Sequence, residues 1–402
     1  MIISVYNKVI IILLSILFLP SLLYVTLKSS SMAVGLMVSL ILLLILVNKK
    51  NLPRIENKFV YLFSLFLLFQ YIYTFFYDPG LVIEKQIISL FFLFLIFISA
   101  GFFALEFQKI QSEQLNYLLK WLSIFILAIG LLSQVVTIDF ANYVKFPKAV
   151  FPYSEPSHYA LTTGGVLFAT GFLISSLQRV ILLILLLILT MLFPSTLLLV
   201  LSLMMLIVYY SSDIKKVTLL VLLLLMAFLF VSDNIKDFQY FSSRLNISSN
   251  NTNLTTLVYL QGIDDAYRSF ITTNGIGLGF QNMGSIAPSK ISNLIHSLSG
   301  YYKNRNDGGF LAAKIVSEFG LIGLILLVYY LKFFYRSFVF LRNMSNSEYT
   351  IANVSTSLIF SHSIIMVFFI ELFVRGYGYF SPGVFFVLFA LFVIRKRRED
   401  EK

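Results

Sequence analysis

The sequence "RVILLILLLILTMLFPSTLLLVLSLMMLIVYY", residues 179–210, decides the fold class. After Arg179 it carries no charged side chain, and a helix needs roughly 17–25 mainly apolar residues to cross a bilayer. Because proline interrupts a helix, Pro194 marks either the hinge between two tight spans or the turn of a shorter hairpin. Both alternatives make this stretch part of a helical membrane protein.

The composition extends this interpretation to the whole chain. Of the 402 residues, 58% are hydrophobic and 12% are charged, and the mean hydropathy is +0.88, whereas a soluble domain has about 25% charged residues. Unbroken apolar runs recur along the chain, which excludes a membrane β-barrel with its short alternating segments. We therefore expect an all-α, polytopic bundle of transmembrane helices.

Cysteine and histidine counts limit the chemistry. The chain has no cysteine, which excludes a disulfide framework, a thiol nucleophile and a cysteine metal site. Its three histidines show no HExxH or related spacing. We therefore expect neither a metal nor another cofactor.

The apolar runs predict about twelve spans. Lys and Arg concentrate in one set of short loops and in the tail "RKRREDEK", which the positive-inside rule assigns to the cytoplasm. Both termini are then cytoplasmic, and the net charge of +11 reports topology and not nucleic-acid binding. The predicted spans lie at about 6–26, 32–47, 59–76, 86–105, 116–137, 158–176, 179–193, 195–210, 217–232, 309–331, 351–373 and 379–394.

One long polar segment divides the chain. Residues 1–232 hold spans one to nine, 233–308 form a large outer loop, 309–394 hold the last three spans, and 395–402 are the cytoplasmic tail. In the loop, "TTLVYLQGIDDAYRSFI" places apolar residues at helical spacing. We expect a partly helical external subdomain. No internal sequence repeat is visible, which argues against a transporter built from inverted repeats.

The stretch "FPYSEPSHYALTTGGVLF" places polar groups at a membrane boundary. Pro156 suits the first turn of a helix, so Glu155 can act as a cap that the helix dipole favours. Capping alone does not explain why Lys145, Lys148, Glu155 and His158 lie so close together beside an apolar span, where ionisable groups are costly. The alternative is a polar site.

Two arginines raise the same choice between structure and function. Arg268 can pair with Asp264 on one helix face, or it can bind an anion together with the "NGIGLG" turn that follows. Arg375 can pair with Glu371, or it can bind phosphate, which suits the bidentate guanidinium. The turn is not the dinucleotide-binding fingerprint, since GxGxxG is not met.

The segment "NDGGFLAAKIVSEFGLIGL" returns the chain to the membrane. Lys314 and Glu318 are four residues apart and are expected to pair as part of the structure. Asp307 is either a helix cap or a functional acid. His296 can be a base, an anion contact or without a role, and His362 is expected to make a structural polar contact.

The predicted outer face therefore combines cations, acids and aromatic rings, as a lipid-linked sugar diphosphate requires. Some tyrosines belong to the interfacial belt. The cations are Arg244, Arg268 and Arg375; the acids and histidines are Glu155, Asp307, His158 and His296; and the aromatic rings are Tyr153, Tyr159, Tyr301, Tyr302, Tyr377 and Tyr379.

With these residues the chain resembles O-antigen polymerases of the Wzy type, which belong with the O-antigen ligases to a group of membrane glycosyltransferases. The resemblance covers the topology of the whole chain, a GT-C-like bundle with one large periplasmic loop. "FPYSEPSHYAL" is similar to the family's Glu-Pro-Ser stretch, and "RSFITTNGIGLG" to its Arg-ten-residues-Gly pattern. "NDGGFLAAKIVSEFGLIGL" is similar to its re-entry segment, and "FVRGYGYFSPG" to its arginine-bearing final outer loop.

The resemblance implies a metal-independent glycosyltransferase at the periplasmic face of the bacterial inner membrane. A growing glycan on undecaprenyl diphosphate is the donor, and a sugar hydroxyl of another lipid-linked repeat unit is the acceptor. Membrane lipid and a chain-length regulator are further expected partners. Glu155 and Asp307 are the expected catalytic or acceptor-positioning acids. The expected diphosphate and substrate contacts are Arg268, Arg375, Arg244, His158, His296, Gly275, Gly277 and Gly279.

Two departures from the family bear on the alternatives. The 138–157 connection has no second Arg-ten-residues-Gly pattern, and Lys145 and Lys148 are expected to supply its charge. Where the ligases have His-Asn, this chain has Asn306-Asp307, which favours a polymerase over an O-antigen ligase.

A lipid-linked oligosaccharide flippase or other transporter would place ionisable residues in mid-span. A non-catalytic scaffold needs no convergent set of arginines and acids.

Overall fold

The computed structural model describes most of the chain, and the statements below refer to that part. The described residues are 4–29, 31–47, 64–73, 83–136, 142–146, 149–193, 195–211, 218, 253–345 and 354–400. They form helices, with no strand beyond a single bridge between Val150 and Tyr153. The expected all-α fold is confirmed for these residues, and their apolar helices are consistent with a helical membrane protein.

The helices are numbered here in chain order. They are α1 (Val5–Thr26), α2 (Ala33–Leu46), α3 (Ser64–Tyr73), α4 (Ile83–Phe107), α5 (Ser112–Val135), α6 (Pro156–Leu173), α7 (Ser176–Leu192), α8 (Thr196–Tyr210), α9 (Leu254–Thr272), α10 (Lys290–Ser299), α11 (Leu311–Ser345), α12 (Thr356–Phe373) and α13 (Pro382–Asp400).

The expected count of about twelve spans is wrong for the described residues. Five helices are long and apolar enough to cross a membrane: α1, α4, α5, α11 and α12. Four other apolar helices, α2, α3, α7 and α8, have 10–17 residues, which is at or below the lower end of the roughly 17–25 residues that cross a bilayer. The predicted span at 217–232 lies outside the described residues, apart from Thr218.

The apolar stretch 179–210 forms two short helices. A capping box starts α7, in which Ser175 and Gln178 satisfy each other's backbone N–H groups. The Ser195 side chain accepts from the backbone N–H of Leu198 at the start of α8. Helices of 17 and 15 residues on either side of position 194 favour the shorter hairpin.

The packing of α6 against α12 positions the site. A Cβ added at Gly164 would lie 2.9 Å from Val367 Cγ1, and one at Gly165 would lie 3.1 Å from Ile364 Cγ1. Both glycines therefore allow the two helices to approach closely, as small residues do in membrane bundles. Glu155 immediately precedes α6 and Arg375 follows α12, so this contact brings the two together.

Helix α11 is broken at Gly320, where φ is 54° and ψ is −128°. The break receives the glycine-rich turn, residues 274–279. The backbone N–H of Leu321 donates to the Gly275 carbonyl at 2.7 Å, and that of Gly279 donates to the Glu318 carbonyl at 3.0 Å. Irregular backbone inside a membrane helix is tolerated where protein groups satisfy it, and the turn does so here.

Helices α9 and α10 lie between α8 and α11 in sequence. The Ser317 hydroxyl of α11 donates to the Ser269 hydroxyl of α9 at 2.8 Å. Leu257 and Val258 of α9 form a small buried cluster with Ile295 of α10. The predicted helix in this segment is therefore present, and it packs on the broken part of α11.

Candidate functional site

Glu155 and Arg375 form an ion pair between two connections at one end of the bundle. Pro156 occupies the first turn of α6, and Glu155 is its N-cap residue, yet the Glu155 side chain makes no capping hydrogen bond. Arg375 Nη2 instead donates to Glu155 Oε2 at 2.8 Å, and the Ser157 hydroxyl donates to the same oxygen at 2.9 Å. The capping alternative therefore does not describe Glu155.

The expected pair between Glu371 and Arg375 is not formed. Helix α12 ends at Phe373, so Arg375 lies beyond the helical spacing that such a pair requires. Glu371 is buried, and its Oε2 atom lies so close to Gly383 at the start of α13 that no Cβ fits there. Arg375 is left to pair with Glu155.

The Glu155–Arg375 pair is accessible. The two side chains are 43% and 32% exposed. Burial raises the pKa of the Glu155 carboxyl, but the charges of Arg375 and His158 and the hydrogen bonds from Ser157 and Arg375 outweigh it, so the pKa is lowered overall. Glu155 is thus held as a carboxylate that balances the charge of an arginine within reach of a ligand.

The side chains near this pair fall into two groups: some lie beside the ion pair, and others belong to the buried core. The His158 Nδ1 atom lies 2.9 Å from the Ser154 hydroxyl, and its ring lies 4.6 Å from that of Tyr377. Tyr153 and Tyr159 are buried, and their hydroxyls donate to backbone carbonyls of other helices. These two tyrosines therefore belong to the core and do not offer a face to a sugar.

Lys314 and Asp307 form a second ion pair. Lys314 Nζ donates to Asp307 Oδ1 at 2.9 Å and to the Asn306 carbonyl at 2.6 Å. The expected pair with Glu318 is present, but its distance is 3.6 Å. The Lys314 side chain is 3% exposed and that of Asp307 is 56% exposed. A buried cation therefore holds an exposed carboxylate.

The two ion pairs are adjacent. The backbone N–H of Gly376, next to Arg375, donates to the carbonyl of Gly309, two residues after Asp307, at 3.1 Å. A Cβ added at Gly378 would lie 3.4 Å from Asp307 Oδ1. The structure thus brings Glu155, Arg375 and Asp307 to the same end of the bundle.

The glycine-rich turn does not serve the anion-binding role expected of it. The N–H of Gly275 donates to the Phe270 carbonyl, that of Gly277 to Thr273 Oγ1, and that of Gly279 to the Glu318 carbonyl. A backbone N–H that is already paired is not available to an anion. Gly275, Gly277 and Gly279 are therefore assigned to docking the turn against α11.

Arg268 is in a different environment from the one expected. Its Nη1 atom donates to the Ala287 carbonyl at 3.0 Å and lies 3.9 Å from Asp265 Oδ1, so its acidic neighbour is Asp265 and not Asp264. The side chain is 33% exposed. Neither contact joins Arg268 to Arg375.

The remaining expected residues lie elsewhere. His296 is exposed on α10, where its ring lies 4.6 Å from that of Tyr302. His362 is buried in α12, and its Nδ1 atom lies 2.9 Å from the Ser337 hydroxyl, which confirms its structural role. Arg244 lies outside the described residues, and so does Lys148.

Sequence reasoning missed Asp265. It is 1% exposed, and neither carboxylate oxygen has a hydrogen-bond partner in the described part of the chain. Burial raises its pKa to about 6, with Arg305 and Arg268 opposing that change and Asp264 adding to it. Asp265 lies on the inner face of α9, and its burial there is shown only by the fold. Within the described ranges, no group of three or more potential ligands could hold a metal ion.

Comparisons with known proteins add no relative. Neither the models of protein families nor the curated proteins nor the solved structures contain a match to this chain.

Proposed function

We propose that this chain is an O-antigen polymerase of the Wzy type in the bacterial inner membrane. In this proposal both termini are cytoplasmic, and the end with the two ion pairs faces the periplasm. The observation that carries the proposal is the half-exposed Glu155–Arg375 pair beside the exposed Asp307 carboxylate. Transfer from a lipid diphosphate needs a cation that stabilises the leaving group and a base that accepts the proton of the acceptor. An accessible arginine next to a carboxylate supplies both.

The proposed reaction uses these groups in defined roles. A sugar hydroxyl of a lipid-linked repeat unit attacks the anomeric carbon of the growing glycan on undecaprenyl diphosphate. The new C–O bond forms as the bond to the diphosphate breaks, and the diphosphate leaves with the electron pair. Arg375 stabilises the charge on the leaving group, and a carboxylate accepts the proton of the hydroxyl.

Asp307 is better placed than Glu155 to act as that base. Glu155 already shares its charge with Arg375 at 2.8 Å, whereas Asp307 is 56% exposed and its cation is buried behind it. Glu155 is then the partner of Arg375 in the absence of substrate, and the diphosphate takes the place of Glu155 when it binds. His158 and Tyr377 lie beside the pair and are proposed to contact the donor.

Arg268 and His296 are proposed as outer contacts for the glycan. Both side chains are accessible to a ligand, and neither has a described contact with Arg375 or Asp307. Their substitution should therefore impair the reaction less than substitution of Arg375.

Lipopolysaccharide gels test the function. A strain that lacks the gene should show core plus one repeat unit, and wild-type complementation should restore the ladder. Arg375→Ala, checked for membrane expression, should not restore it. An unchanged ladder in the deletion strain would contradict the proposal, and bare core with accumulated lipid-linked polymer would indicate an O-antigen ligase instead.

A flippase is the second candidate, because one observation favours it. Transporters bind substrate at discontinuous membrane helices, and α11 is broken at Gly320 beside the buried Lys314 and Glu318. Against this, the Gly-rich turn fills the break. Loss of a flippase would leave bare core without lipid-linked polymer, which separates it from both enzymes in the same experiment.

A further inference from the structure

Lys314 is a buried cation with more than one acidic partner. Its side chain is 3% exposed, and isolated buried charges are costly unless they are paired and hydrogen-bonded. Glu318, on the same helix, is fully buried. The distance from Lys314 Nζ to Glu318 Oε1 is 3.6 Å, which is longer than a good hydrogen bond. The shorter contacts are those to Asp307 and to the Asn306 carbonyl.

Lys314 makes its closer contact with the exposed Asp307 and not with the buried Glu318. A structural clamp between two buried groups would need only Glu318, four residues along the same helix. Lys314 instead reaches back seven residues to a carboxylate that is 56% exposed. Because Lys314 is fixed by the core, it orients Asp307 toward the accessible end of the bundle.

The groups around Lys314 and its partner Glu318 come from four segments. Asp307 and the Asn306 carbonyl belong to the loop before α11, and Glu318 belongs to α11 itself. Tyr379, in the α12–α13 connection, has its ring 5.5 Å from Lys314 Nζ. The backbone N–H of Met283, after the glycine-rich turn, donates to Glu318 Oε1 at 3.2 Å. Lys314 thus joins Asp307 to the same connection that carries Arg375.

We propose that Lys314 is a positioning residue, which holds the Asp307 carboxylate in the orientation that accepts the proton of the acceptor hydroxyl. This inference rests on the proposed polymerase function. During transfer the hydroxyl proton moves to the Asp307 carboxylate, the hydroxyl oxygen bonds to the anomeric carbon, and the diphosphate leaves with its electron pair. Asp307 then returns the proton to water, to which it is exposed.

A double-mutant cycle tests the proposal. Purified full-length protein is assayed in detergent for polymer formation from lipid-linked repeat units, with wild type, Lys314→Met, Asp307→Asn and the double variant. Lys314→Met should lower kcat about tenfold or more and change KM by less than about threefold, because it disturbs the base and not substrate binding. The double variant should be no slower than Asp307→Asn alone, since coupled residues are not additive.

Two further variants complete the design. Lys314→Arg keeps the charge and should recover part of kcat, and Glu318→Gln, which removes the other partner, should lower kcat less than Lys314→Met. Thermal unfolding in detergent verifies that each variant is folded. If Lys314→Met is not recovered folded, Lys314→Gln takes its place in the cycle.

The outcomes are distinguishable. Suppose that wild-type protein forms polymer and that the fold-loss of kcat in the double variant equals the product of the two single losses. This result would overturn the role of Lys314 and leave the polymerase function standing. Lys314→Met with wild-type kcat would do the same. Folded wild-type protein that forms no polymer would overturn the function and this inference together.

Discussion

Two carboxylate–cation pairs lie side by side in this protein, and they differ in which member is buried. Glu155 and Arg375 are 220 residues apart, and both are partly exposed. Asp307 and Lys314 are seven residues apart, and the cation is almost completely buried. An accessible pair can exchange one partner for a ligand, whereas a buried lysine cannot leave its carboxylate. The first pair therefore suits substrate binding, and the second suits holding a base.

The largest expected effect is that of removing Arg375. Arg375→Ala should lower polymer formation by about 10²–10³-fold, the usual loss for one donor that stabilises developing charge. Arg375→Lys, which keeps the charge without the bidentate geometry, should lose less. Rates from the detergent assay measure both variants. Equal, small losses in the two would mean that Arg375 does not contact the diphosphate.

The two acids should differ in the next comparison. Asp307→Asn should lower kcat by about 10²-fold, as loss of a general base does. Glu155→Gln should lower kcat less than about tenfold and should also lower KM for the donor, because Arg375 no longer has a competing carboxylate. Steady-state kinetics over donor concentration separate the two parameters. Interchanged effects would reverse the assignment of the base and of the partner of Arg375.

The glycine-rich turn offers a comparison of stability. Gly277 has φ of 90°, and a Cβ there would collide with the Glu318 carbonyl, whereas Gly300 has φ of 80° and open space around it. Gly300→Ala should cost about 1 kcal/mol for the backbone alone, and Gly277→Ala should cost about 2–3 kcal/mol more because of the collision. Thermal unfolding of the two variants measures this. Equal melting temperatures would contradict the docking role of the turn.

The smallest expected effect is the dependence of the Glu155–Arg375 pair on pH. Since the folded-state pKa of Glu155 is lowered, its stabilising contribution is complete above the unfolded-state pKa and is lost as pH falls through the folded-state value. Because both side chains are partly exposed, the contribution is about 1 kcal/mol or less. The difference in melting temperature between wild type and Glu155→Gln should therefore disappear in acid. A difference that persists or grows there would contradict the ion pair.

The fold was predictable from the sequence only in part. Runs of apolar residues correctly placed α7 and α8, and apolar residues at helical spacing within the polar segment correctly placed α9. The number of spans was not predictable, because composition alone does not separate a short buried helix from one that crosses the bilayer. Helices α7 and α8 have the apolarity of spans but are shorter than the five helices identified as long enough to cross a membrane.

The site shows the same division between local and long-range information. The local i,i+4 rule correctly paired Lys314 with Glu318 but also paired Arg375 with Glu371, which the end of α12 at Phe373 prevents. The true partner of Arg375 depends on the close contact of α6 with α12. The three glycines of the turn were identified as special, but only the fold shows that their N–H groups are already paired.

The most direct test of the central claim is a transfer reaction with purified components. Detergent-purified wild-type protein and Arg375→Ala are each incubated with undecaprenyl-diphosphate-linked repeat units, and the products are separated by size. A polymerase that depends on Arg375 should give a ladder of lipid-linked oligomers from wild type and almost none from the folded variant. No oligomer from folded wild type, or the same ladder from both proteins, would contradict this claim.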